Sequence, residues 1–204
     1  MNLPNKITVG RFALALGFFG FFVWADLEHA TEWWKPLAGA LVFGLAVVGD
    51  AFDGYYARKL GLQTDFGRIA DPVVDKVIVS GGLILLASCE WARHYLPPWM
   101  VVLIIGREFM VNGLRGFIEA RGVAFPARWD GKLKMILQCI AIPAVFLWRT
   151  VDLGWPGAGW AVTLTFDFAW LTVWLTFALT ILSGVRYISA AAEVMRRDGA
   201  DPTP

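Results

Sequence analysis

The chain has 204 residues, 57% of them hydrophobic and 17% charged, with 11 Trp and a formal net charge of +1. Soluble domains average about 45–50% apolar residues, so this composition excludes an ordinary soluble globular protein. The two cysteines, Cys89 and Cys139, and the two histidines, His29 and His94, have no metal-ligand spacing, which excludes a zinc site, a histidine-based triad and a disulfide framework.

Six apolar stretches have the length of helices crossing about 30 Å of hydrocarbon: roughly 7–25, 35–57, 72–89, 98–118, 132–149 and 161–188. Pro4 and Asn5 predict a turn before the first, with a short interfacial segment ahead of it. Lys6 and Arg11 precede the first apolar run, but no small-x-small site follows Trp24, so an uncleaved span is expected rather than a signal peptide. The last stretch is long enough to leave the bilayer, and the tail from Arg196 to Pro204 reads as polar and frayed. With no repeats, residues 1–204 read as a single all-α, membrane-embedded domain of six transmembrane helices.

With the N-terminus inside, only Lys35, Arg93 and Arg149 of the 18 Lys and Arg fall outside, and Arg107 falls within a span. The positive-inside rule therefore predicts cytoplasmic termini and a cytoplasmic loop between the second and third spans. Trp24, Trp33, Trp34, Trp91, Trp99, Trp148, Trp155 and Trp160 cluster near the outer ends, as interface anchors do.

The second and third spans carry the pattern D-x2-D-G-x2-A-R-x8-G-x3-D-x3-D, made of Asp50, Asp53, Gly54, Ala57, Arg58, Gly67, Asp71 and Asp75. One carboxylate at membrane depth costs about 2.5–3.5 kcal/mol, so four near one level need neutralising. Asp50 and Asp53 are i,i+3, and Asp71 and Asp75 are i,i+4, so each pair shares one helix face. Oxygen ligands of this kind suit one or two Mg²⁺ or Mn²⁺ ions. Gly54, Ala57 and Gly67 let a substrate approach the backbone, and Arg58 is placed to pair a phosphate. Solvated helix-end charges explain one or two aspartates but not four at this spacing. A cation channel or transporter is the alternative of a different class, and it leaves Arg58 and the glycines unexplained. Asp65 reads as a turn or cap residue, and Asp167 has no evident role.

These eight positions resemble, residue for residue, the signature of the CDP-alcohol phosphotransferase family. The resemblance implies a six-helix membrane fold, commonly homodimeric, and Mg²⁺- or Mn²⁺-dependent attack of an alcohol on a CDP-linked substrate with release of CMP. It implies that Asp50, Asp53 and Asp71 hold metal, with Asp75 as a further ligand or as the catalytic general base. It places Asn5, Thr8, Asp50, Asp53, Gly54, Ala57, Arg58, Gly67 and Asp71 around the CDP moiety. For Asn5, Thr8 and Arg11, capping and topology are an equal reading.

The stretches Asn2–Arg11, Thr64–Lys76, Gly106–Arg115 and Gly131–Lys134 are similar to those of bacterial family members that take sn-glycerol 3-phosphate as acceptor and CDP-diacylglycerol as donor. One departure is Asn112, where Ser or Thr is more usual. The similarity implies phospholipid synthesis at the bacterial inner membrane, with membrane lipid and no nucleic acid as partner. Inositol phosphate, serine and phosphatidylglycerol are the other acceptors the signature allows. A phosphorylated acceptor needs cations beside the bilayer, and Arg107, Arg115, Lys132, Lys134 and Arg186 are the candidates. Arg107 and Glu108 lie inside a span, where ionisable groups mark function, and Glu108 is placed to pair with Arg107. Lys132 and Lys134 read equally as loop-end lysines, and Arg186 as a snorkelling side chain. Arg121 and Arg128 read as topology determinants. Ala40-x3-Gly44 permits a close helix contact.

Overall fold

In the computed structural model the described backbone covers residues 3–59, 65–121 and 129–200, and the described side chains are residue 10 and residues 12–49, 76–121, 129 and 131–196. Among the described residues there are six α-helices: α1 (Leu3–Trp24), α2 (Trp34–Lys59), α3 (Asp65–Ser88), α4 (Pro98–Glu119), α5 (Trp129–Gly154) and α6 (Gly159–Ala200). Single 3-10 turns, Leu27–His29 and Glu90–Ala92, sit in the loops after α1 and α3.

The helix bounds differ from the sequence reading where polar residues begin or end a helix. Among the described residues, from Leu3 onward, no separate segment precedes α1. Pro4 and Asn5 belong to the first turn of α1, where a missing N–H and a fixed φ cost nothing. Both α3 and α5 start earlier than their apolar runs, at Asp65 and Trp129, so Asp71 is helical along with Asp75, Lys132 and Lys134, which the runs already included. The tail expected to fray from Arg196 remains helical to Ala200. With 42 residues, α6 is roughly 60 Å long, about twice the hydrocarbon thickness.

Two helical stretches, Gly131–Gly154 and Gly159–Arg196, are long and apolar enough to cross a membrane by length and composition. Shorter apolar segments, Phe12–Trp24, Trp34–Gly49 and Lys76–Ser88, lie in α1, α2 and α3. Several hydroxyls of α6 are satisfied within the helix: Thr165, Thr172, Thr180 and Ser183 each donate to a carbonyl three or four residues earlier, whereas the buried Thr176 hydroxyl has no partner. Pro143 lies inside the continuous α5 and has no N–H to donate to the carbonyl of residue 139.

The core runs down the middle of the bundle. Phe18 of α1 meets Phe43 of α2 edge-on, with centroids 5.3 Å apart, and both side chains are fully buried. Leu83 and Leu86 of α3, Ile104 of α4, and Ile142 and Phe146 of α5 complete it. Gly81 and Gly82 permit this approach. A Cβ on Gly82 would stand 3.1 Å from Phe43 and 3.2 Å from Ile142, and one on Gly81 would collide with the Phe19 ring. By contrast, a Cβ on Gly44 would meet nothing within 4 Å, so Ala40-x3-Gly44 makes no tight contact on its Gly44 side among the described residues.

One end of the bundle is tied by the loops after α1, α3 and α5. Trp91 Nε1 donates to the Leu27 carbonyl at 3.2 Å, and Arg149 reaches both the Ala30 carbonyl and Asp152. His29 and His94 are exposed at this end. Trp24, Trp33, Trp34, Trp99, Trp155 and Trp160 are exposed here too. Trp91 and Trp148 depart from the expected anchor role. Trp91 packs on Phe146, and Trp148 packs on Tyr95 and Phe166, so both belong to the bundle's interior. Of the two thiols, Cys89 is buried and Cys139 is partly buried, and neither is in a disulfide.

Candidate functional site

The opposite end holds a cavity of about 260 Å³ between α3, α4, α5 and α6. Its wall includes Lys76, Val79 and Ser80 from α3, Arg107, Glu108, Asn112 and Arg115 from α4, Lys132, Lys134 and Gln138 from α5, and Tyr187 from α6. Five of these residues are cationic and one is anionic, so the cavity is built for an anion.

Glu108 organises two of the cations. Its carboxylate accepts from Arg107 Nη1 at 3.3 Å and pairs with the ammonium of Lys134 across the α4–α5 interface. The side chains of Arg107 and Lys134 are only 7% and 4% exposed. A buried charge needs such a partner, since desolvation of an unpaired ion costs several kcal/mol (roughly) even after relaxation. Glu108 was expected to hold Arg107. It also holds Lys134, which the sequence left undecided between phosphate ligand and loop-end lysine.

Helix α6 supplies the rest of the setting. Arg107 Nη2 donates to Ser183 Oγ at 2.9 Å, while Ser183 directs its own hydrogen to backbone carbonyls of α6. Gly184 leaves room for Arg107, because a Cβ there would lie 3.1 Å from Arg107 Cγ. Arg115 Nη2 donates to Tyr187 Oη at 2.9 Å. The Tyr187 ring centre is 5.6 Å from the Arg107 guanidinium carbon and 5.8 Å from that of Arg115. The Nε atoms of both arginines are buried without a hydrogen-bond partner. Most buried polar groups are bonded, so these two N–H donors are available to an acceptor in the cavity.

Four of the five predicted acceptor cations, Arg107, Arg115, Lys132 and Lys134, converge on this cavity. Arg186 does not. It is exposed and lines an adjoining groove of about 250 Å³ with Trp129, Leu133, Ile136, Leu179 and Leu182. Arg121 stands over the Phe117 ring at 4.2 Å and does not line the cavity. Asp167 is exposed on α6. Tyr187, Ser183, Gln138 and Lys76 escaped the sequence reading. A hydroxyl pair at i,i+4 within an apolar span, Ser183 and Tyr187, was the available signal for the first two.

Asp50, Asp53, Gly54, Ala57 and Arg58 fall on the C-terminal half of α2, and Gly67, Asp71 and Asp75 on the N-terminal half of α3. Their side chains, and those of Asn5, Thr8 and Arg11, lie outside the described residues, as does Arg128. Among the described residues no group of His, Cys, Asp and Glu has the arrangement of a metal site. The donor set of the signature fits a hard divalent cation: four carboxylates, two per helix, at one-turn spacings. The cavity adjoins that stretch of α3. Lys76 follows Asp75 directly, and Val79 stands one helical turn beyond it.

The chain matches the family model described as CDP-alcohol phosphatidyltransferase over residues 1–182. It is 39% identical over 201 residues to the CDP-diacylglycerol–glycerol-3-phosphate 3-phosphatidyltransferase of Bacillus subtilis (strain 168), covering 96% of this chain and 97% of that one. Proteins of the same name from Escherichia coli (strain K12) and Rickettsia bellii (strain RML369-C) are 34% and 32% identical, each covering 93% of this chain and 94% of the relative. With the aspartate signature on α2 and α3 and this similarity along nearly its whole length, the chain belongs to the CDP-alcohol phosphatidyltransferase family.

Proposed function

We propose that the protein transfers the phosphatidyl group of CDP-diacylglycerol to sn-glycerol 3-phosphate, giving phosphatidylglycerol phosphate and CMP for phosphatidylglycerol and cardiolipin synthesis. The observation that carries the choice of acceptor is the cationic cavity holding two orphaned arginine donors beside the aspartate helix. A phosphate monoester supplies both the charge and the acceptor oxygens these donors lack. The relatives named for this reaction support the same reading.

Arg107, Arg115, Lys132 and Lys134 bind the acceptor's phosphate and so orient its free hydroxyl toward α3. Asp75 accepts the hydroxyl proton as general base. The hydroxyl oxygen then bonds to the phosphatidyl phosphorus, the pyrophosphate P–O bond breaks, and CMP departs with that electron pair. Asn5, Thr8, Gly54, Ala57, Arg58 and Gly67, with the aspartates, surround the CDP group. Asp50, Asp53, Asp71 and Asp75 would hold the Mg²⁺ or Mn²⁺, which when bound neutralises the pyrophosphate and stabilises the leaving group.

In this reading all six helices cross the bacterial inner membrane, with both termini and the site cytoplasmic. Exposed apolar side chains such as Val23, Val102, Phe109 and Leu164 support burial in lipid or against a second copy in a homodimer. The test is CMP release by purified protein given CDP-diacylglycerol and Mg²⁺, with glycerol 3-phosphate, inositol phosphate, serine or phosphatidylglycerol in parallel. Release with glycerol 3-phosphate alone, abolished by chelation and by Asp75→Asn, is expected. Release with a different acceptor overturns the assignment of the cavity, and metal flux in liposomes without CMP release overturns the enzyme.

A further inference from the structure

We propose that Tyr187 is a positioning residue, which aims Arg107 and Arg115 at the phosphate of the acceptor and so selects phosphorylated over neutral alcohols. The proposal rests on the cavity being the acceptor site. Tyr187 comes from α6 and is 2% exposed, while both arginines come from α4. One side chain engages both cations, by two different interactions. Its Oη accepts from Arg115 Nη2 at 2.9 Å, and its ring stands within 6 Å of both guanidinium groups. The buried Arg107 guanidinium and the half-buried Arg115 guanidinium repel each other, and the negative face of an aromatic ring offsets part of that repulsion.

The geometry also fixes direction. A guanidinium is a planar fork, so anchoring one arm determines where the others point. Ser183 anchors Nη2 of Arg107, and Tyr187 anchors Nη2 of Arg115. Arg107 Nη1 is held by Glu108, and each arginine keeps a buried Nε–H without a partner. A phosphate monoester has the oxygens and the charge to accept from both. A neutral acceptor offers one hydroxyl and leaves buried cations uncompensated. The Ser183-Gly184-x-x-Tyr187 face of α6 therefore acts on substrate through the arginines and does not take part in the transfer step itself.

The test separates ring from hydroxyl. Tyr187→Phe keeps the ring and removes Oη, and Tyr187→Leu removes both. CMP release is measured with glycerol 3-phosphate and CDP-diacylglycerol varied in turn. Tyr187→Phe is expected to raise KM for glycerol 3-phosphate about 3–10-fold, less than the loss of a direct charge-assisted contact to the phosphate, because Tyr187 acts through Arg115. Tyr187→Leu is expected to raise it further, with kcat and the KM for CDP-diacylglycerol holding steady in both variants. A merely structural role would move both KM values and the unfolding temperature together, and that result overturns the proposal. Arg115→Gln distinguishes the two levels. If it leaves the KM for glycerol 3-phosphate unchanged, the cavity is not the acceptor site. If it raises that KM while neither Tyr187 variant does, the role of Tyr187 alone is overturned.

Discussion

Lys134 of α5 and Glu108 of α4 form an ion pair inside the bundle, and Arg107 shares the same carboxylate. Two cations on one anion leave a net positive charge beside the cavity, and in the proposed function an incoming phosphate relieves this excess. The pairing also joins two helices whose sequences are 26 residues apart at this point.

Glu108→Gln should therefore destabilise the protein and weaken acceptor binding together. Removing one partner of a buried pair costs about 3–5 kcal/mol, because the other charge stays buried. Unfolding in detergent measures the first effect and KM for glycerol 3-phosphate the second. Adding Lys134→Met to Glu108→Gln should recover much of the stability but none of the acceptor affinity. Recovery of both would contradict a binding role for Lys134.

Gly184 tests the seat of Arg107 without altering any polar group. In Gly184→Ala the new methyl carbon stands 3.1 Å from Arg107 Cγ, so the arginine must shift by a few tenths of an ångström. Displacing a bound group slightly is enough to raise KM for the acceptor several-fold while the fold survives. An unchanged KM would show that Arg107 is not held to this position during turnover.

The glycines of α3 make a prediction about packing. Gly82→Ala places a methyl 3.1 Å from Phe43 and 3.2 Å from Ile142. Overpacking of this kind costs about 1–3 kcal/mol. Gly20→Ala on α1 meets nothing within 4 Å and should be neutral or stabilising by about 0.5–1 kcal/mol through helix propensity. Chemical unfolding of the two variants side by side checks the contrast, and equal effects would contradict the packing of α3 against α2 and α5.

At the loop after α1, His29 Nδ1 lies 2.9 Å from Asp26 Oδ1. That hydrogen bond, and then the charge of Asp26, raise the His29 pKa above its ordinary 6.5. The contact's contribution is complete below the unfolded pKa and is lost as pH rises through the higher folded value. Histidine ring NMR of the protein in micelles should show the raised pKa, and Asp26→Asn should bring it back toward 6.5. A pKa unmoved by that substitution would contradict the pairing.

Much of this arrangement was legible in the sequence. The apolar runs located all six helices, and a cation-bearing apolar span marked Arg107 as functional because charge at that depth needs a reason. Lys134 was ambiguous because it lies near the start of the apolar run, where a lysine can still reach solvent, whereas the packing of α5 buries it beside Glu108 of α4. Tyr187 and Arg186 show a different limit. Adjacent residues on a helix point about 100° apart, so Arg186 faces the outer groove while Tyr187 faces the cavity. Sequence chemistry favoured the arginine, and only the packing of α6 against α4 shows that the tyrosine is the one inside.

The most direct measurement is the KM for sn-glycerol 3-phosphate in CMP release from CDP-diacylglycerol, with wild-type protein and Arg107→Gln compared. Losing a charge-assisted contact to phosphate corresponds to about 1.5–3 kcal/mol, or roughly 10–100-fold. A rise of that size, with the KM for CDP-diacylglycerol unchanged, is the predicted result. Equal KM values for glycerol 3-phosphate in the two proteins, or no CMP release from folded, Mg²⁺-loaded wild type, would contradict the account.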